Sequence, residues 1–205
     1  MTSPKAMTSP KILIAGIGNI FLGDDGFGCA VAGRLASRPL PDGAHVVDFG
    51  IRGFDLAYTL MDGYGATILI DAVPRGGDPG ALYVMEPNLN ELNDPDAQAM
   101  VVEGHAMNPM RVLALVRAMG GELKRVLLVG CEPATLGPEE GQMGLSATVE
   151  AAVDGAVEMV ESLVAEILGD QRPPGAGAET MKARRLGAEF IRHVTNKFGA
   201  CVVIF

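Results

Sequence analysis

Apolar positions come in blocks along residues 11–170, and the blocks switch between two periods. The runs Ile12-Leu13-Ile14-Ala15, Ala66-Thr67-Ile68-Leu69-Ile70-Asp71-Ala72-Val73 and Val126-Leu127-Leu128-Val129 are nearly continuous, which predicts strands covered on both faces. A β-branched run, Ala44-His45-Val46-Val47-Asp48-Phe49, lies between the turn at 39–43 and Gly50-Ile51-Arg52-Gly53 and predicts a further strand. Between these runs the apolar spacing turns helical, over 29–35, 54–61 and about 107–119. A long helix follows Ser146, its predicted N-cap, with Val149, Val153, Val157, Val160, Val164 and Ile167 on the buried stripe. The alternation predicts an α/β fold, a three-layer α/β/α sandwich around a mainly parallel sheet. The strand at 81–85 follows its predecessor after only residues 74–80, too few for a parallel crossover. It is expected to run antiparallel at an edge, for five strands in all.

Gly169 and the stretch Pro173-Pro174-Gly175-Ala176-Gly177 divide a domain over 11–170 from a tail over 171–205. The tail holds six Lys or Arg against two Glu, whereas residues 1–170 hold ten against twenty-three. The tail is expected to form a short basic helix from about Glu179 to Asn196, or to be disordered. Its apolar end, Cys201-Val202-Val203-Ile204-Phe205, needs a surface to pack on. At the other end, Met1–Ala6 is nearly repeated by Met7–Ile12, as a second start codon or a cloning scar would do, and is set aside.

The formal charge of −9, with no Trp and three Tyr, argues against a nucleic-acid surface. No run is long and apolar enough for a membrane span, and no basic-then-apolar leader is present, so a cytoplasmic protein is expected. Cys29, Cys131 and Cys201 are far apart and read as bystander thiols.

Candidate chemistry gathers where strands end. Gly16-x-Gly18 after the first strand opens like a dinucleotide fingerprint, but Phe21 stands where the third glycine belongs, and Asp24 and Asp25 would repel a pyrophosphate. The five glycines from 16 to 28 are expected to bring backbone close to a ligand, and one of the two aspartates to cap the following helix. Asp25, Asp48 and Asp71 fall at or just beyond the C-terminal ends of three predicted parallel strands, the edge where open α/β sheets bind ligands. His105 stands in the irregular stretch 86–106. Singly, the aspartates read as turn formers and His105 as a helix cap. On one rim, two carboxylates and an imidazole suit a divalent metal such as nickel or zinc. His-Glu-x-x-His and Gly-x-Ser-x-Gly are both absent, and His45 and His193 read as structural or solvated.

The ordered set Gly16-x-Gly18-Asn19, Gly23-Asp24-Asp25-Gly26-x-Gly28, Asp48-x-Gly50-x-x-Gly53, Asp71-Ala72 and His105 resembles the hydrogenase maturation endopeptidases. Gly130-x-Glu132-Pro133 and Gly144-Leu145-Ser146-x-x-Val149 extend the resemblance, which covers about residues 11–168. It implies a cytoplasmic peptidase that removes a C-terminal extension from the large-subunit precursor of a nickel-iron hydrogenase after nickel insertion. It implies Asp25, Asp71 and His105 as metal ligands, with nickel supplied by the substrate rather than tightly held, and Asp48 as a further carboxylate of the catalytic set. Aspartate rather than glutamate at 25 shortens the reach by one methylene. The metal then either polarises the scissile region or serves recognition alone, with Asp25 or Asp48 activating water. The competing implication is a noncatalytic chaperone of the same fold that binds nickel or the large subunit.

Overall fold

The computed structural model describes residues 11–89, 108–137, 141–169, 194–195 and 201–204. Strands β1 (Ile12–Ile17), β2 (Ala44–Gly50), β3 (Ala66–Ala72), β4 (Leu82–Glu86) and β5 (Arg125–Cys131) form a mixed sheet. Helices α1 (Phe27–Ala36), α2 (Gly53–Leu60), α3 (Pro109–Ala118) and α4 (Ala147–Gly169) cover it. β1 lies between β2 and β3, and β3 pairs with β5, all in parallel. β4 runs antiparallel to β5, as the short connection after β3 requires.

Alternate residues of β1 serve opposite layers, which explains its unbroken apolar run. Ile12 and Ile14 pack with Phe27, Val31 and Leu35 of α1 and with the valine stripe of α4. Leu13, Ala15 and Ile17 pack with Leu56 and Leu60 of α2 and Leu113 and Val116 of α3. Every residue of β1 and β3 is buried. At roughly 1.5–3 kcal/mol per fully buried aliphatic side chain, these two strands supply much of the apolar stabilisation.

The tail lengthens the sheet beyond β4. Strand β7 (Cys201–Ile204) pairs antiparallel with β4, from Tyr83↔Ile204 to Glu86↔Cys201, and β6 (Val194–Thr195) pairs with β7. The apolar end therefore meets the open backbone edge of β4, which offers the hydrogen bonds a helix would make internally. This corrects the expected tail helix at its C-terminal end, since Val194 and Thr195 are extended; residues 179–193 of that helix lie outside the described residues. The strand order is β2-β1-β3-β5-β4-β7-β6. Among the described residues no helix is long and apolar enough to cross a membrane.

The glycines after β1 do something other than expected. A Cβ on Gly28 would lie 2.2 Å from the carbonyl oxygens of both Ile17 and Ile70, and one on Gly16 would lie 2.4 Å from the Gly28 oxygen. Gly18, at φ +133°, would place a Cβ 1.7 Å from the Asp25 oxygen. These glycines let the start of α1 lie directly on the ends of β1 and β3, so what approaches them is the protein's own backbone. Gly28→Ala is expected to destabilise the fold by about 2–3 kcal/mol, because neither strand carbonyl can yield as a side chain would. Chemical denaturation of the variant beside the parent measures this, and unchanged stability would refute the packing account.

Candidate active site

The parallel register brings the expected carboxylates to one rim. Gly16 of β1 stands opposite Asp48 of β2 on one side and Ile70 of β3 on the other, with Asp71 one residue further. Asp25 arrives on the 3₁₀ turn Gly23–Gly26 that joins β1 to α1. Its Oδ2 accepts the Asn19 N–H at 2.7 Å, which fixes the carboxylate over the loop. Asp48 is exposed, and its Oδ1 accepts the Gly50 N–H at 2.9 Å.

Asp71 is 6% exposed, and its Oδ1 accepts the Ala72 N–H at 2.9 Å. Burial, reinforced by the negative charge of Asp25, pushes its pKa well above the ordinary carboxylate value, against the lesser opposing effect of that N–H. Cys29 shows the same convergence from a neutral group. Burial, a hydrogen bond with Asp48 and the charges of Asp48, Asp25 and Asp71 push its thiol up to about 12, so it stays protonated and donates to the Gly18 carbonyl at 3.3 Å. Three carboxylates thus surround one spot, and two of them repel each other across it.

A divalent cation would relieve that repulsion, and carboxylate oxygens are suitable donors for one, so the pair Asp25 and Asp71 fits a metal. Among the described residues no third His, Cys, Asp or Glu completes a set able to hold an ion. His105, the expected third ligand, lies outside the described residues, as does His193. The helix cap that His105 could have supplied belongs to Asn108, whose side chain accepts the Met110 N–H at 2.9 Å ahead of Pro109. His45 is exposed on β2 with its ring edge-on to Tyr64, a structural contact away from the carboxylates.

Two further carboxylates build the rim. Asp24 caps no helix: α1 begins after Gly26 without a side-chain cap. It is fully buried and accepts the N–H groups of Ala134, Thr135 and Ser146 and the Ser146 hydroxyl at 2.6–3.1 Å. Burial alone would raise its pKa, but those four donors outweigh the burial and hold it below the ordinary aspartate value of 3.8. The Ser146 carbonyl meanwhile accepts the Glu150 N–H in the first turn of α4. Glu132, just beyond β5 and 5% exposed, accepts the N–H groups of Arg75 and Gly76 and the Tyr83 hydroxyl. It too is held below the usual glutamate value, because these donors and the Gly77 N–H outweigh burial. Asp24 thus ties the β1–α1 turn to the loops on either side of residues 138–140, and Glu132 ties down the loop after β3. The sequence marked Glu132 only as part of an ordered motif, and Asp24 as a motif position and a candidate helix cap.

Beside Asp48 opens a cleft of about 260 Å³, lined by Gly18, Ile20, Phe21, Cys29, Phe49 and Ile51 among others. Its walls come from the loops after β1 and β2, so the volume available to a polypeptide adjoins the carboxylate rim.

Known proteins share both the sequence pattern and the fold. The model of the HycI family of hydrogenase maturation proteases matches residues 29–163. The hydrogenase 2 maturation protease of Escherichia coli is 29% identical over 160 residues, 76% of this chain and 92% of that one. The solved hydrogenase maturating endopeptidase HybD from E. coli has a TM-score of 0.59 at 29% identity, covering 76% of this chain and 93% of its own. A crystal structure of a hydrogenase 2 maturation peptidase from a Thaumarchaeota archaeon has a TM-score of 0.58 at 34% identity, covering 76% and 98%. Since the family match takes in well over half of the chain and the solved peptidases share its fold over nearly their whole length, the chain belongs to the hydrogenase maturation protease family.

Proposed function

We propose that this protein is a cytoplasmic endopeptidase that removes a C-terminal extension from the large-subunit precursor of a nickel-iron hydrogenase, after nickel has been inserted. The observation that carries the reading is the convergence of Asp25 and Asp71 at the sheet rim of a maturation-protease fold. Nickel is here supplied by the substrate rather than held tightly by the free enzyme. Asp25, Asp71 and His105 would engage it, and when bound it supplies positive charge beside the scissile region.

The protein's own residues carry the rest of the chemistry. Asp71 is held rigidly in the strand, with its carboxylate in a low-dielectric setting where its charge acts strongly on a bound cation. Asn19 orients Asp25 toward the same spot. Asp48 faces solvent at the mouth of the cleft, where it takes the proton of the attacking water and returns it to the leaving amine. Cys29, held protonated, is no nucleophile in this arrangement.

The test mixes the purified protein with its large-subunit precursor, nickel-loaded or nickel-free, and follows mobility on a gel. Shortening of the nickel-loaded form alone is the expected outcome. An uncut nickel-loaded precursor would remove the peptidase reading for that client, and binding without cleavage would favour a nickel-dependent chaperone.

A further inference from the structure

Helix α2 has apolar residues on two faces. Leu56, Ala57 and Leu60 are buried against the sheet, as the helical spacing predicts. On the other side Phe54, Tyr58 and Met61, spaced by four and three residues, form a second stripe. Ile51, one turn before Phe54, continues that stripe into the cleft beside Asp48, and Ile20 and Phe21 form the opposite wall. These six side chains are 41–68% exposed. A solvated helix would carry polar residues there, and a contiguous apolar patch of this kind marks an interaction surface.

The patch is held in place by hydrogen bonds. The loop bearing Ile51 is fixed by the Gly18 N–H to the Gly50 carbonyl at 3.1 Å and by the Arg52 N–H to the Phe49 carbonyl at 2.9 Å. The loop bearing Ile20 and Phe21 is fixed by the Phe21 N–H to Asn19 Oδ1 at 3.0 Å and the Gln142 N–H to the Phe21 carbonyl at 2.7 Å. Arg52, which follows Ile51 in the cleft wall, is paired with Asp55 at 3.4 Å. The surface is therefore preorganised and mainly apolar, which lowers the ordering cost of binding an apolar partner.

Position decides among the occupants. The chain's own tail strand β7 sits beyond β4, whereas α2 follows β2 at the opposite end of the sheet. A second copy seated on the stripe would cover Ile20, Phe21 and Ile51 and close the cleft that the reaction needs. A polypeptide whose scissile bond lies at the carboxylates can follow the cleft whose walls include Ile20, Phe21 and Ile51 toward the stripe. From Phe54 to Met61 the stripe runs about 10 Å along the helix. Resting on the endopeptidase reading above, we propose that the stripe Ile51, Phe54, Tyr58 and Met61, with Ile20 and Phe21 opposite, docks an apolar face of the folded hydrogenase large-subunit precursor beside its C-terminal extension and so selects the client.

The experiment measures steady-state processing of nickel-loaded precursor by the parent, by the double variant Phe54→Ser/Tyr58→Ser and by Ile51→Ser. Because these side chains are mostly exposed, the variants are expected to melt with the parent, and melting curves check this. The proposal requires KM to rise at least about tenfold in the double variant, the scale at which aromatic anchors dominate interfaces, with kcat within about twofold. Unchanged KM in both variants, or a fall in kcat alone, overturns it while the parent's cleavage keeps the endopeptidase reading. A parent that elutes as a dimer and becomes monomeric in the double variant also overturns it, assigning the stripe to a second copy. A parent that leaves the nickel-loaded precursor uncut overturns both readings.

Discussion

Asp71→Asn is expected to slow precursor processing by about 10²–10³-fold, the range typical for loss of one preorganised electrostatic contact at a reaction centre. The substitution keeps the shape of the side chain and an oxygen able to accept the Ala72 N–H, so the end of β3 has no reason to rearrange. It does remove a negative charge that is almost wholly buried and repelled by Asp25. Loss of activity should therefore come with an unchanged or raised melting temperature, since the enzyme no longer bears the cost of that buried charge. Processing rates and melting curves on one preparation test both halves. Parental activity would remove Asp71 from the site, and a fall in stability would show that its charge is compensated by a partner.

Asp24→Ala is expected to act in the opposite sense, on the fold before the chemistry. Four donors from Ala134, Thr135 and Ser146 converge on this one carboxylate, and its removal leaves them facing a small cavity. Unsatisfied buried donors cost about 1–3 kcal/mol each and do not add fully, so a loss of about 3–5 kcal/mol is expected. Against a typical total of about 5–15 kcal/mol this is a large share, readable by urea denaturation. The pH dependence carries the same signature. Because the folded value lies below 3.8, the contribution of Asp24 is fully present above that value and is lost as pH falls through the still lower folded one. The parent should lose stability on acidification below about pH 4 more steeply than Asp24→Ala. Parallel curves for the two proteins would show that the donors are satisfied without the carboxylate.

These two aspartates, 47 residues apart in the chain, show how far residue type alone carries. Asp24 and Asp25 are adjacent and identical in sequence, yet one is a fully buried anchor and the other a half-buried member of the rim. What separates them is the 3₁₀ turn, which aims Asp24 at the loops beyond β5 and leaves Asp25 facing Asp71. The turn itself depends on Gly18 and Gly28 accepting backbone at distances no side chain permits. The same limit applies to α2. Its apolar residues over 54–61 could be read as one buried face, and only the packing shows that Phe54 and Tyr58 are exposed.

The sequence by itself determined the strand and helix blocks, the antiparallel β4 and the placement of Asp25, Asp48 and Asp71 at strand ends. Periodicity and connection length are local properties, and the parallel topology they imply leaves those ends on one rim. The tertiary structure alone decided which carboxylates face one another and which serve as anchors. It also decided that the tail closes the edge of β4, and that α2 keeps an apolar stripe beside the cleft. Each of these depends on the donors, charges and backbone edges that distant segments bring into contact, and a residue's own type and neighbours do not specify those partners.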